Sequence, residues 1–170
     1  MIEPCDLPPT ALLRRCRDAG AYTDCYTTEI AARISHAEYV EAFYTTFVFK
    51  LERFLLKGLV SKPSTDTEAA RLARGEIDSF AAWTVEGRAP DQVLMADYMG
   101  RTKSWLMVAP SGETGTRLYF GSAVMPVRGK SGKRTLGFQF NGLLGFHKMY
   151  SRLLLGAAAE KITKVVKSSG

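Results

Sequence analysis

One stretch of the chain sets a carboxylate between two phenols. Tyr22, Asp24 and Tyr26 fall at alternate positions, so on an extended strand all three share a face. On a concave, water-poor face such a carboxylate orients a ligand or acts as a general base, because desolvation raises its pKa toward the range that suits proton abstraction. On the wet face of a half-solvated strand the same groups do neither, and the sequence leaves both readings open. A second group, Asp97, Arg101, Lys103 and Trp105, flanks a tight turn. Lys103 and Trp105 share a strand face there, and Asp97 can meet them across the turn. This set either clamps an anionic head group against an aromatic wall or forms an ordinary cross-strand ion pair of roughly 0.2–1 kcal/mol. Tyr119, His147 and Tyr150 complete the candidate ligand-binding set. His147 either faces a cavity and shuttles protons or sits at a helix interface with one nitrogen satisfied.

Other chemistries lack their patterns. The two histidines, His36 and His147, form no HxxxH pair and the cysteines no CxxC, so no metal is expected, and no cofactor is implied. Ser104, Ser122 and Ser151 have no nucleophile-elbow context. Gly129-Lys130-Ser131 lacks the upstream glycine spacing of a phosphate loop. Cys5, Cys16 and Cys25 are odd in number, which argues against a disulfide framework and for a reduced, cytoplasmic setting. Cys16 and Cys25 read as small buried apolar groups.

The elements that must position these groups follow from periodicity and punctuation. Thr10 can cap a short helix that Gly20 ends, and residues 21–30 read as a strand. Ser35 and Glu38 make a capping box for a helical segment over 35–59, with Tyr39, Val40, Phe43, Phe47, Leu51, Phe54 and Leu55 at helical spacing. Thr45, Thr46, Phe47, Val48 and Phe49 weaken it and predict a kink or break. Thr65 and Glu68 open a second capped helix that Gly75 closes. Strand-like runs follow at 80–87, 92–99, 102–109 and 116–127, joined by short turn-rich links that favour antiparallel hairpins. The last segment, 136–166, is a long apolar helix, with Asn141 a second candidate for its cap. Its apolar stripe is wide enough to lie against a sheet.

The expected fold is therefore α+β: a curved antiparallel sheet of about five main strands wrapped around a long C-terminal helix, with two or three helical segments after the first strand. The 170 residues suit one domain, with 1–20 an N-terminal extension and 167–170 a flexible tail. The strand Ala21-Tyr22-Thr23-Asp24-Cys25-Tyr26, the hairpin Gly100-Arg101-Thr102-Lys103-Ser104-Trp105 and the segment from Gly142 to Arg152 resemble an uncharacterised bacterial family of the START-like (SRPBCC) helix-grip superfamily. The resemblance covers about residues 21–159 in order and texture and brings no catalytic residues with it. It implies the helix-grip fold and a cavity; members include lipid carriers, hormone-binding and allergen proteins, polyketide cyclases and co-chaperones.

Three functions follow as expectations. The first is binding of a small hydrophobic or amphipathic molecule between the sheet and the C-terminal helix. The second is a cyclase or dehydratase that uses acid–base residues of the same cavity, and it ranks behind binding. The third is an interaction module. The formal charge of +6 and pI of about 9.3 favour anionic partners. The basic residues gather only at Arg128, Lys130, Lys133 and Arg134 and at Lys161, Lys164 and Lys167. That predicts at most a weak anionic-surface contact and no specific nucleic-acid recognition. No apolar run approaches the roughly 20 residues of a membrane span, and the N-terminus lacks a signal-peptide pattern. The protein is expected to be a monomer or homodimer.

Overall fold

The structure, a computed structural model, describes residues 1–47, 49, 65–128, 134–135 and 138–169, with side chains for 1–47, 49, 65–126 and 148–168. Seven strands form one antiparallel sheet: β1 (Glu3–Pro4), β2 (Tyr22–Ile30), β3 (Ser79–Phe80), β4 (Trp83–Ala89), β5 (Gln92–Asp97), β6 (Thr102–Ser111) and β7 (Gly115–Val124), in the order β1-β2-β7-β6-β5-β4-β3. A separate short pair joins β8 (Val127–Arg128) to β9 (Arg134–Thr135). The described helices are α1 (Arg14–Asp18), α2 (His36–Tyr44), α3 (Asp66–Ala73) and α4 (Phe138–Ser169). The C-terminal helix α4 lies across β2 and β7 and against α2. The expected helix-grip arrangement is therefore present, with five long strands and two short ones at the edges.

The capping boxes form as the sequence requires. The Ser35 hydroxyl accepts from the Glu38 amide and Glu38 returns a bond to the Ser35 amide; Thr65 and Glu68 repeat the pattern. Helix α2 stops at Thr45, at the predicted break. The Thr45 hydroxyl turns back onto the Glu41 carbonyl and the Thr46 hydroxyl onto that of Phe43, competing with the helical ladder. The rest of the helical segment expected over 35–59, from residue 50 on, lies outside the described residues.

Several boundaries differ from expectation. The predicted run 80–87 is a tight hairpin, because Ala81 adopts φ of 52° and reverses the chain between β3 and β4. The short N-terminal helix begins at Arg14, after Leu13, with no side-chain cap, so Thr10 does not cap it. Helix α4 starts at Phe138, so Asn141 lies inside it, and it runs on to Ser169. The stretch expected to be an N-terminal extension is packed onto the sheet: β1 extends its edge and residues 7–16 cover one face.

Strand alternation divides the side chains between two layers. On the concave face Tyr26, Phe120, Leu106 and Val93 lie in register across β2, β7, β6 and β5. They pack against Phe43 and Tyr44 of α2 and Leu154, Leu155, Ala158 and Ile162 of α4. On the convex face Leu94, Trp105 and Ala123 pack under Leu7, Ala11, Leu13 and Cys16. A register shift between Val85 and Gly87 bends β4, as a bulge does.

His36 couples this packing to pH. Burial of the imidazole, only partly offset by a hydrogen bond to the Leu106 backbone and by Asp91, holds its pKa down at about 4, and Arg88 lowers it further. Its Nε2 is buried with no hydrogen-bond partner. Because the folded-state pKa is depressed, the unfolded chain takes up the proton first, and stability falls as pH drops from 6.5 toward 4. The loss is on the order of 2 kcal/mol. Urea unfolding of the wild type and of His36→Phe at pH 7 and pH 4.5 checks this: the gap between the two proteins should change by about that amount in the variant's favour at low pH.

Candidate functional site

The concave face is not uniform. One end is apolar and filled by α2 and the C-terminal half of α4. Toward the other end the inward positions become polar: Asp24, Ser122 and Ser104 lie in register across β2, β7 and β6. Ser122 and Ser104 are buried, and the Ser122 hydroxyl donates to Asp24 Oδ1 at 2.5 Å. A short donor to a carboxylate is a charge-assisted bond, stronger than a neutral one. It fixes the Asp24 carboxylate on the sheet surface.

Beside this row, where β2 approaches the sheet edge, a groove runs between β1–β2 and α4. It encloses about 1120 Å³ and opens to solvent. Its floor and one wall carry Tyr22, Asp24 and Tyr26, and its helix wall carries Lys148, Met149, Arg152, Leu153, Ala157 and Glu160. Met149 and Leu153 are each 52% exposed: two large apolar side chains one helical turn apart, turned toward a hollow. At the rim the Arg152 guanidinium crosses to the Ile2 carbonyl at 3.3 Å. Gly156 allows β1 to approach, since a Cβ there would meet Ile2 Cδ1 at 3.1 Å.

The two phenols are held as neutral donors. Burial, followed by the Asp24 charge, pushes Tyr22 up to about 12. Tyr26 is raised by the same two causes, against a smaller opposing pull from Arg152. Both therefore stay protonated at neutral pH. The groove thus presents two hydroxyl donors and a carboxylate acceptor on the sheet, a guanidinium and an ammonium on the helix, and an apolar stripe between them.

Of the ten residues singled out in the sequence, Tyr22, Asp24 and Tyr26 meet in this groove. Tyr150 instead packs against the main core. Asp97 does not face Lys103: Ala96 pairs with Lys103, so Asp97 points to the other side. There its Oδ1 accepts from the Arg101 amide at 2.7 Å and closes the β5–β6 turn. Lys103 and Trp105 lie on the convex face, beneath the N-terminal segment. Lys103 is buried and paired with Glu86 at 2.5 Å. The Trp105 indole donates to Gln92 Oε1 at 2.8 Å. Tyr119 shares that face, its ring 6.2 Å from that of Trp105. The anionic clamp imagined from Asp97, Lys103 and Trp105 is therefore not assembled. His147 lies within α4, and its side chain is outside those described.

Sequence reading missed Ser122, Ser104, Arg152, Met149 and Leu153. The serines carried a signal, as polar residues at inward positions of otherwise apolar strands. The helix residues carried none, because a stripe apolar nearly all round does not say which side stays uncovered.

Among the described residues no cluster of His, Cys, Asp or Glu could hold a metal ion, and no helix is long and apolar enough to cross a membrane. A second hollow, between α2 and α4 at Ile34, Ala42, Lys161 and Val165, encloses about 190 Å³, below the roughly 300 Å³ at which ligand sites begin. Two of the three C-terminal lysines are engaged internally. Lys161 donates to the Thr45 carbonyl at the end of α2, where a cation complements the helix dipole. Lys164 pairs with Glu160 at 2.6 Å.

No protein-family model matches the chain, and no curated protein matches it. Among solved structures it is similar to CalU16 from Micromonospora echinospora, at 12% identity and a TM-score of 0.38, over 92% of this chain and 80% of that one. A likeness of that size carries no functional argument.

Proposed function

We propose that the protein binds a small amphipathic molecule in the groove between β2 and α4. The observation that carries the reading is the pairing of half-exposed Met149 and Leu153 with the polar Tyr22–Asp24–Tyr26 face across one hollow. A ligand site of this kind needs an apolar body and a few placed polar groups. The ligand's apolar part lies along Met149, Leu153 and Ala157. Its polar end meets Asp24 and the two phenols, and Arg152 covers the rim. Glu160 at the helix wall is already paired with Lys164, so the anion left for a ligand's polar end is Asp24, set between the two phenols. A hydroxyl suits that end, donating to Asp24 and accepting from a phenol, and a carboxylate would meet Asp24 as a like charge.

The catalytic alternative, a cyclase or dehydratase centred on Asp24, has the carboxylate in the right groove. The raised pKa values of Tyr22 and Tyr26 keep both phenols as donors to a bound oxygen, in binding and in catalysis alike. Binding is ranked first because the groove joins that polar face to the apolar wall of Met149 and Leu153.

Thermal unfolding with single-chain probes tests the proposal. 1-Decanol, decylamine and decanoate share a tail and differ in the head. A bound probe raises the melting temperature by mass action. Decanol is expected to raise it most and decanoate least. If none of the three raises it at concentrations up to its solubility or micelle limit, the binding reading fails.

A further inference from the structure

Cys5 and Cys25 lie opposite one another on adjacent antiparallel strands. The β1–β2 register pairs Pro4 with Tyr26, and the next residue along continues it, with the Cys5 amide bonded to the Cys25 carbonyl at 3.0 Å. Their sulfurs are 3.0 Å apart, and all three cysteines are free thiols. Directly opposed, hydrogen-bonded residues of an antiparallel pair have Cα atoms about 5.5 Å apart, inside the roughly 4.4–6.8 Å range a disulfide needs. The sulfurs must approach by about 1 Å more to reach a bond of about 2.05 Å.

We infer that Cys5 and Cys25 form a reversible dithiol–disulfide site that fastens the edge strand β1 to the sheet. Cys5 is the half-buried member and Cys25 the buried one, so an oxidant reaches Cys5 first. The Cys25 thiol stabilises the Cys5 thiolate and lowers its pKa, against burial and the nearby Asp6 carboxylate. The same contact, with burial, raises that of Cys25. With a hydroperoxide as oxidant, the Cys5 thiolate attacks the peroxide oxygen, the O–O bond breaks, and a sulfenic acid forms as one water or alcohol leaves. The Cys25 sulfur then displaces the sulfenic hydroxyl, its own proton leaving with that group as water. Two thiols lose two electrons and two protons, and the peroxide is reduced. A dithiol returns the pair to the reduced state by exchange.

The location gives the bond a consequence. Strand β1 has only two residues, and its Pro4, with Ile2 just before it, forms the edge of the groove. A bond at Cys5 holds that edge in register. Cys16, though buried on the same convex layer, is not the partner.

The test treats the whole protein with hydrogen peroxide, or separately with diamide, and reads intact mass and a tryptic map. Arg14, Arg15 and Arg17 separate the three cysteines into different peptides. The expected result is a monomer lighter by about 2 Da, restored by dithiothreitol, with the Cys5 and Cys25 peptides joined. Cys16→Ser should behave identically, while Cys25→Ser should lose the intramolecular bond. Three unmodified thiols after treatment, a bridge that includes Cys16, or only intermolecular dimers would overturn the inference.

Discussion

Trp105→Ala is expected to destabilise the protein by about 3–5 kcal/mol, the range for deleting a large buried aromatic side chain. The indole is completely buried, and it is the centre of a polar and apolar joint that holds the N-terminal segment to the sheet. Gln92 Oε1 accepts from the Trp105 indole and from the Leu12 amide, each at 2.8 Å, and Gln92 Nε2 donates to the Thr10 carbonyl at 3.1 Å. Removing the ring leaves a cavity beneath Leu13 and takes one donor from a buried amide. The layer is tight enough that Gly121 beside it has no room for a side chain: a Cβ would sit 2.8 Å from Leu13 Cδ2 and 2.9 Å from Trp105 Cε3. Urea unfolding reads the loss, and Trp105→Phe, which keeps most of the volume and gives up the indole bond, should cost about 1–2 kcal/mol. A loss below 1 kcal/mol for the alanine variant would mean that this layer is not packed as described. Decanol binding by Trp105→Phe should match the wild type, since Trp105 is on the far side of the sheet from the groove.

Leu153→Asp should do the reverse. Its side chain is half-exposed, so the cost to folding is about 1–2 kcal/mol, from helix propensity and the loss of the buried half. The groove, however, loses one of its two large apolar contacts and gains a charge. Covering the exposed half of a leucine contributes roughly 0.8–1.5 kcal/mol, and the new charge adds to the loss, so affinity for decanol should fall about 5- to 10-fold or more. Equilibrium binding followed by calorimetry well below the melting temperature of the unliganded variant separates this from unfolding. Unchanged affinity would exclude the helix wall of the groove from the site.

The contrast between Trp105 and Leu153 marks what was legible in the sequence. Alternation in β2 put Tyr22, Asp24 and Tyr26 on one face, and turn residues made the neighbouring strands antiparallel. Capping boxes fixed the starts of α2 and α3. These are local signals, and local physics wrote them. Which face of the sheet a residue takes relative to a distant strand is not local. The candidate ligand-binding set holds both Trp105 and Asp24, from two separate groups. The register Trp105↔Gly121 and Asp24↔Ser122 puts them on opposite faces, and a single residue of phase decides it. The N-terminal residues could not be assigned a role from composition, since their function is to cover a face whose existence depends on the rest of the sheet. The Cys5–Cys25 pairing was hidden for the same reason: twenty residues separate them, and only the β1–β2 register makes them neighbours.

The claim that the groove between β2 and α4 is the ligand site is tested most directly by a two-dimensional amide NMR titration of the protein with 1-decanol. The account predicts saturable shifts concentrated at Tyr22, Asp24, Tyr26, Met149, Arg152 and Leu153, with Leu94, Trp105 and Met107 of the convex layer unmoved. Shifts centred on the convex layer, or changes spread over the whole molecule without saturation, would contradict it.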